Sequence, residues 1–436
     1  MSQPVRILIG LVLGLVLGLA TADVDWSAAA ASVAEPVGGL WLDALRMTIV
    51  PLVVSLLITG IAQTAEAARA NRLAARAIIF FLVFLWFSAG SAALLTPLLL
   101  SVWPLDAGSA AALRGALSGT TEVGEVPGFA EFIRSFVPTN PLAAAANDAF
   151  LPLVIFTMLF AFAVTRLPAE PRQMLTRFFQ AVADVMLIII GWVLWLGPIG
   201  VFALAYVVGA RAGGAAFGAL LHYIIVVSLT GIFIWILAYP IAVFGGKVGL
   251  LRFARAVAPS QAVAVSTQSS LASLPTMLKS AAALGVPVAA SGVILPIAVA
   301  LFRATGPAMN LAVALYVAHW FGLEPTPLQV MAGVAVAATT TLGAVSLPGQ
   351  VSFVTSIAPI GLAVGIPLEP LAILIAVETI PDIFRTVGNV TMDVAAATTV
   401  ARRSGIADET GDTEQDRLLA GAGDAQEPTG ARPVSG

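Results

Sequence analysis

The chain has 436 residues, 59% of them apolar and only 10% charged. A water-soluble domain carries near a quarter charged residues, so this composition excludes one. A net charge of −3 without any basic run argues against nucleic acid. The absence of cysteine excludes disulfides, thiol catalysis and zinc–thiolate sites, and His222 and His319 are too few for a histidine metal centre.

Apolar segments fall near 5–22, 39–65, 77–103, 141–165, 180–208, 217–245, 287–321 and 367–401, each long enough to cross a bilayer. The first ends in Ala20-Thr21-Ala22, which looks like a signal-peptidase site. Gly10, Gly14 and Gly18 nevertheless share one helix face, the pattern of a retained helix that packs closely on another. A loop near 23–38 carries acids and no base. The next loop has Arg69, Arg72 and Arg76, and a long mixed connection spans 104–140. Arg166, Arg172 and Arg177 follow, then Arg211 alone, then Lys247, Arg252 and Arg255, and finally Arg402 and Arg403. Basic and non-basic loops alternate, which fits eight spans with both termini in the cytoplasm. Residues 404–436 are poor in large apolar side chains and predict a disordered cytoplasmic tail.

Two further apolar stretches, near 256–285 and 330–364, are broken by polar residues and proline. One contains Ser266-Thr267-Gln268-Ser269-Ser270 and the other Thr339-Thr340-Thr341; both run on to Ser-Leu-Pro, ending at Pro275 and Pro348. They read as an internal repeat of re-entrant hairpins whose tips lie at the proline breaks. Irregular backbone at membrane depth must be buried in protein or line a cavity. The simpler alternative is a kinked helix with its hydroxyls bonded back to its own carbonyls.

Arg303 lies inside the seventh span, followed by Gly306-Pro307 and Asn310; that sequence predicts local unwinding, with carbonyls free to ligate a hard cation. The last segment carries Glu378, Asp382, Arg385, Asn389 and Asp393. At 100° per residue they fall within an arc of roughly 80°. A charge at mid-bilayer costs at least about 2.5–3.5 kcal/mol, so this stripe must face a cavity and find partners. An internal ion-pair ladder of Arg385 with Glu378 or Asp382 is the plain structural reading. The excess of acids suits a cation, and a lone arginine suits a carboxylate.

These residues resemble the dicarboxylate/amino acid:cation symporter family, the sodium-coupled glutamate and aspartate transporters. The resemblance is carried by Asp382-Ile-Phe-Arg385-Thr386-Val-Gly-Asn389-Val-Thr-Met-Asp393, by Gly197-Pro198-Ile199-Gly200, by Asn140-Pro141-Leu142 and by the two hairpins. It implies an all-α polytopic membrane protein with eight transmembrane helices, two re-entrant helical hairpins and an elevator fold. Residues 1–72 and 141–208 would be the scaffold of a homotrimer; 76–103 and 217–402 would form the transport domain. The implied function is symport of aspartate or glutamate across the cell membrane, with sodium and/or protons as coupling ions and no other cofactor. A C4-dicarboxylate or a neutral amino acid is the alternative substrate. The implied substrate residues are Ser269, Ser270, Leu347, Pro348, Gly349, Asp382, Arg385, Thr386 and Asn389. Gly306, Asn310, Asn389 and Asp393 would hold sodium.

Two departures bear on coupling. The family's Asn-Met-Asp-Gly-Thr motif reads Asn310-Leu311-Ala312-Val313-Ala314 here, and Phe80–Leu85 lacks the hydroxyls that would share the same ion. One cation site is therefore expected to be deleted, with Glu378 carrying a proton or Arg303 acting as a fixed cation in its place. A channel and a membrane enzyme are the rival classes. An aspartyl dyad is excluded, since Asp382 and Asp393 lie about 16 Å apart along one helix.

Overall fold

The computed structural model describes residues 3–70, 72–106, 108, 110–111, 137–147, 149–212, 215–343 and 349–405. Among them the chain is helical, without a strand. Five helical stretches are long and apolar enough to cross a membrane: Ser27–Glu66, Arg72–Val102, Ala169–Trp195, Phe217–Gly245 and Val288–Phe321. Their outward faces remain apolar. Val83, Leu94, Leu98, Trp192 and Trp195 are all exposed, a surface that suits lipid or a partner chain rather than water.

The first helix, α1 (Gln3–Thr21), is followed by α2 (Ser27–Arg46) and α3 (Ile49–Ala70), which join at Met47–Thr48. The expected loop at 23–38 is thus mostly helix. Its alanine-rich run favours helix, and Ala31, Gly38 and Trp41 are buried. Then come α4 (Arg72–Val102), α5 (Pro141–Ala146), α6 (Phe150–Val164), α7 (Ala169–Trp195) and α8 (Gly197–Ala212). The single segment expected at 180–208 is therefore two helices, parted at Leu196. Pro198 lacks the N–H that would continue α7, and it sits in the first turn of α8, where that N–H is not needed.

The glycine face of α1 packs against α8. A Cβ at Gly10, Gly14 or Gly18 would lie 2.6, 2.5 or 2.4 Å from the carbonyl oxygens of Pro198, Phe202 and Tyr206. The numbers rise together, so the two helices run parallel at backbone contact.

The second half contains α9 (Ala215–Pro240), which passes through a π turn (Ile241–Gly245), then α10 (Leu250–Thr267) and α11 (Ser270–Ala283). These last two form the first hairpin. Its tip is Gln268, in the left-handed region at φ 50°, not Pro275, which lies inside α11. Ser269 caps α11 by accepting from the Ala272 N–H at 3.2 Å, and a Ser260–Ser280 hydroxyl pair at 2.8 Å ties the arms together. The chain continues through α12 (Val288–Leu301), a non-helical break at 302–305, and α13 (Gly306–Phe321). The second hairpin is α14 (Pro327–Thr340), a 3-10 turn (Thr341–Gly343) and α15 (Gly349–Val364). In both hairpins hydroxyls also bond back to helix carbonyls, as Thr267 does to Val263 and Thr340 to Val336. Back-bonding and a reversal of the chain thus coexist. The last helix is divided at Glu378 into α16 (Leu371–Val377) and α17 (Thr379–Arg403). Pro381, which cannot bond to Val377, sets that division. Among the described residues α17 packs chiefly against α9, α10, α11 and α12, whereas α1 and α2 pack chiefly against α8, which also meets α16 and α9.

Replacing Gly14 with valine should destabilise the protein by about 1–3 kcal/mol, because the clash is with backbone that cannot yield. Gly39→Ala, which meets nothing within 4 Å, should leave stability unchanged or raise it by up to about 1 kcal/mol. Thermal unfolding of the purified protein in detergent reads both.

A buried charged stripe beside a broken helix

All five residues of the charged stripe, Glu378, Asp382, Arg385, Asn389 and Asp393, are buried. Glu378 is 0% exposed and Asp393 is 1% exposed. Arg385 holds the upper part of the stripe together. Its Nη1 is paired with Glu378 Oε1 and lies 3.4 Å from Asp382 Oδ1. The Tyr223 hydroxyl on α9 donates to the other Glu378 oxygen at 3.3 Å. The anticipated ion-pair ladder is therefore present. It is incomplete, because Arg385 Nε and Nη2 are buried without a hydrogen-bond partner.

Asn389 serves a different purpose. Its Oδ1 accepts from the Thr305 N–H at 2.9 Å and from the Thr305 hydroxyl at 2.8 Å. The same hydroxyl lies 3.0 Å from the Arg385 carbonyl. Ser88 on α4 donates to the Ala304 carbonyl at 2.6 Å. The break at 302–305 is thus satisfied by side chains from two other helices, as buried backbone requires. Gly388 allows the close approach: a Cβ there would meet the Thr305 methyl at 2.5 Å. Beside the break, Phe81 stacks on Phe302 with ring centroids 4.4 Å apart, and Phe80 and Phe84 pack edge-on around Phe302. Phe80–Leu85 therefore bring rings, not hydroxyls, to this point. Ser88 supplies the hydroxyl instead.

Arg303, Gly306, Asn310, Arg385 and Asn389 line one narrow cleft, closed on its far side by Thr341, Phe353 and Ser356 of the second hairpin. About 20 Å³ of it admits the centre of a water-sized sphere, enough for a water or one small polar group. The cleft gathers part of the expected site, and other expected residues fall elsewhere. Glu378, Asp382, Thr386, Ser269, Ser270 and Asp393 do not line it. Both Asp393 oxygens are buried and lack a hydrogen-bond partner. Gly349 opens α15, while Leu347 and Pro348 lie outside the described residues, as does the tail from 406 onward. Tyr223, Ser88, Phe353 and Ser356 were not anticipated. Each is one polar or aromatic residue on an apolar helix, with no local pattern to single it out.

Residues 4–403 match the sodium:dicarboxylate symporter family. The chain belongs to that family. Its similarities include the proton/glutamate-aspartate symporter of Escherichia coli K12, 29% identical over 91% of this chain and 90% of that protein. The proton/sodium-glutamate symport protein of Bacillus subtilis is 27% identical over 85% and 86%. The C4-dicarboxylate transport protein of Anaeromyxobacter sp. strain K is 25% identical over 86% and 85%. A symporter of this family needs polar groups inside an apolar bundle, and here the broken α12–α13 connection and the last helix provide them together.

Replacing Asn389 with leucine should leave the Thr305 N–H unsatisfied, while the hydroxyl keeps the Arg385 carbonyl, and should lower stability by about 1–3 kcal/mol. Thermal unfolding should show the loss, and hydrogen exchange at residues 302–305 should accelerate. Asn389→Asp, which keeps an acceptor, should restore part of the protection.

Proposed function

We propose that this protein is a secondary active symporter for an acidic amino acid or C4-dicarboxylate and that protons drive it. The observation that carries this reading is Arg385, a buried guanidinium held on one side by Glu378 and Asp382 with Nε and Nη2 still unpaired. A substrate carboxylate would take those donors in the bidentate geometry that suits guanidinium. A carboxylate on that open edge shares the guanidinium charge and weakens its hold on Glu378. A fully buried carboxylate that loses its counter-ion is neutralised by a proton. Substrate and proton thus enter together. Tyr223, Asp382 and Arg385 are the polar groups facing Glu378 from α9 and α17. The names of the relatives, a proton/glutamate-aspartate symporter and a C4-dicarboxylate transport protein, agree with this substrate class.

Asp393 supports a second coupling ion. It is a buried carboxyl group with both oxygens free of hydrogen bonds, and Asn389 and Asn310 line the cleft. Asp393 with the oxygens of Gly306, Asn310 and Asn389 would accept a sodium ion as cargo. Among the described residues no group of three carboxylates or histidines exists that would suit a divalent metal.

On this reading residues 1–72 and 141–208 are the scaffold of a homotrimer in the cell membrane, with both termini cytoplasmic. Residues 76–103 and 217–402 move as the transport domain. The packing of α1 and α2 chiefly on α8, and of α17 chiefly on α9 to α12, supports that division.

Uptake into proteoliposomes, with sodium and pH gradients varied independently, tests the reading. Labelled aspartate or succinate should accumulate under an inward proton gradient with choline in place of sodium. Glu378→Gln should make substrate counterflow insensitive to pH. Uptake that follows sodium alone and ignores the proton gradient would remove the proton mechanism. The absence of any acidic-substrate uptake would remove the symporter assignment.

A further inference from the structure

The cleft contains a second guanidinium. Arg303 stands on the break between α12 and α13, opposite the second hairpin. Its Nε is buried without a partner, and none of the ion pairs among the described residues includes it. It lies close enough to Arg385 for the two charges to repel, and the attraction it feels comes from Asp382 and Asp393 without contact. Two like charges with unsatisfied donors facing one cleft form an unstable arrangement in an apolar bundle. An anion between them resolves it.

We propose that Arg303 is the second carboxylate-binding residue of the site: Arg385 takes one carboxylate of the substrate and Arg303 the other. This rests on the symporter reading above and names what the site measures, which is a substrate with two carboxylates. Three observations favour it. The two serines expected at the substrate do not reach it: the Ser269 hydroxyl caps α11, and neither Ser269 nor Ser270 lines the cleft. The arginines come from separate elements, the interhelical break and α17, so their separation is held by the Asn389–Thr305 bonds between those elements. The remaining polar residues lining the cleft, Asn310, Thr341, Ser356 and Asn389, are neutral; Glu378 and Asp382 engage Arg385 from outside it. As the structure stands the cleft admits only one small group, so a whole substrate must displace the α15 side chains Phe353 and Ser356 from it.

The test compares isosteric pairs that differ by one carboxylate. Binding of succinate against succinamate, and of aspartate against asparagine, is measured by calorimetry on the full-length protein in detergent. In the wild type each dicarboxylate should bind roughly tenfold to hundredfold more tightly than its amide, the range of a charge-assisted hydrogen bond. Arg303→Met should bring the succinate ratio close to one, and Arg303→Lys should recover part of it. A ratio near one in the wild type overturns the proposal without any variant. So does an unchanged ratio in a monodisperse Arg303→Met protein, or a change confined to the ion dependence of uptake, which would make Arg303 a fixed cation. If the wild type binds none of these ligands, the symporter reading itself has failed. If it binds and transports them while Arg303→Met keeps the ratio, only the role of Arg303 has failed.

Discussion

Everything in this molecule is arranged around the burial of Arg385. A guanidinium in an apolar bundle loses its hydration, and only opposite charge and hydrogen bonding make its position tenable. Glu378 and Asp382 supply the charge from the same helix face, one and two turns away. Tyr223 supplies a hydrogen bond to Glu378 from a neighbouring helix. The compensation is deliberately partial in its geometry: one edge of the guanidinium is satisfied and the other is not. That asymmetry separates a site from a structural ion pair, because a closed ladder would have no donor left for a ligand.

The broken helix beside it follows from the same constraint. Freed backbone groups inside a bundle need partners, and the stripe on α17 provides one. Asn389 holds the Thr305 amide and hydroxyl, and Ser88 holds the Ala304 carbonyl from the other side. Arg303 is thereby fixed at the cleft by the anchored backbone of Ala304 and Thr305 that follows it, not by an ion pair of its own side chain. The aromatic cluster of Phe80, Phe81, Phe84 and Phe302 fills the volume next to the break with apolar rings. The aromatic side of the break thus stays apolar, and its polar side faces α17.

The more distant packing has a simpler basis. The contact of α1 with α8 depends on glycine, because lipid offers helices no hydrophobic reason to associate and close backbone approach becomes the source of attraction. The separation of α7 from α8 at Leu196 lets Pro198 begin a new helix in contact with Gly10. A proline that interrupts one helix therefore positions the next.

Composition and periodicity alone determined that this is a helical membrane protein, that a charged stripe marks the last helix and that the seventh span unwinds near Gly306; for the two hydroxyl-rich stretches they left a reversal and a kinked helix both open. Those features are local: they depend on side-chain spacing, on proline and glycine, and on the cost of exposing charge to hydrocarbon. The tertiary structure decided which atoms meet. Nothing in the spacing of Glu378, Asp382 and Arg385 shows that one guanidinium edge stays open. The sequence also does not show that Asn389 supports backbone rather than standing free, or that Ser88, and not a neighbour in 80–85, reaches the break. The tip of the first hairpin moved from Pro275 to Gln268 for the same kind of reason. A proline inside a helix is tolerated where packing supports it, whereas the left-handed turn at Gln268 is selected by the contact its side chain makes with the Thr379 carbonyl at 3.3 Å. Long-range contacts between residues some eighty or more positions apart leave no periodic trace in a single chain, and the placing of Arg303 and Arg385 in one cleft is of that kind.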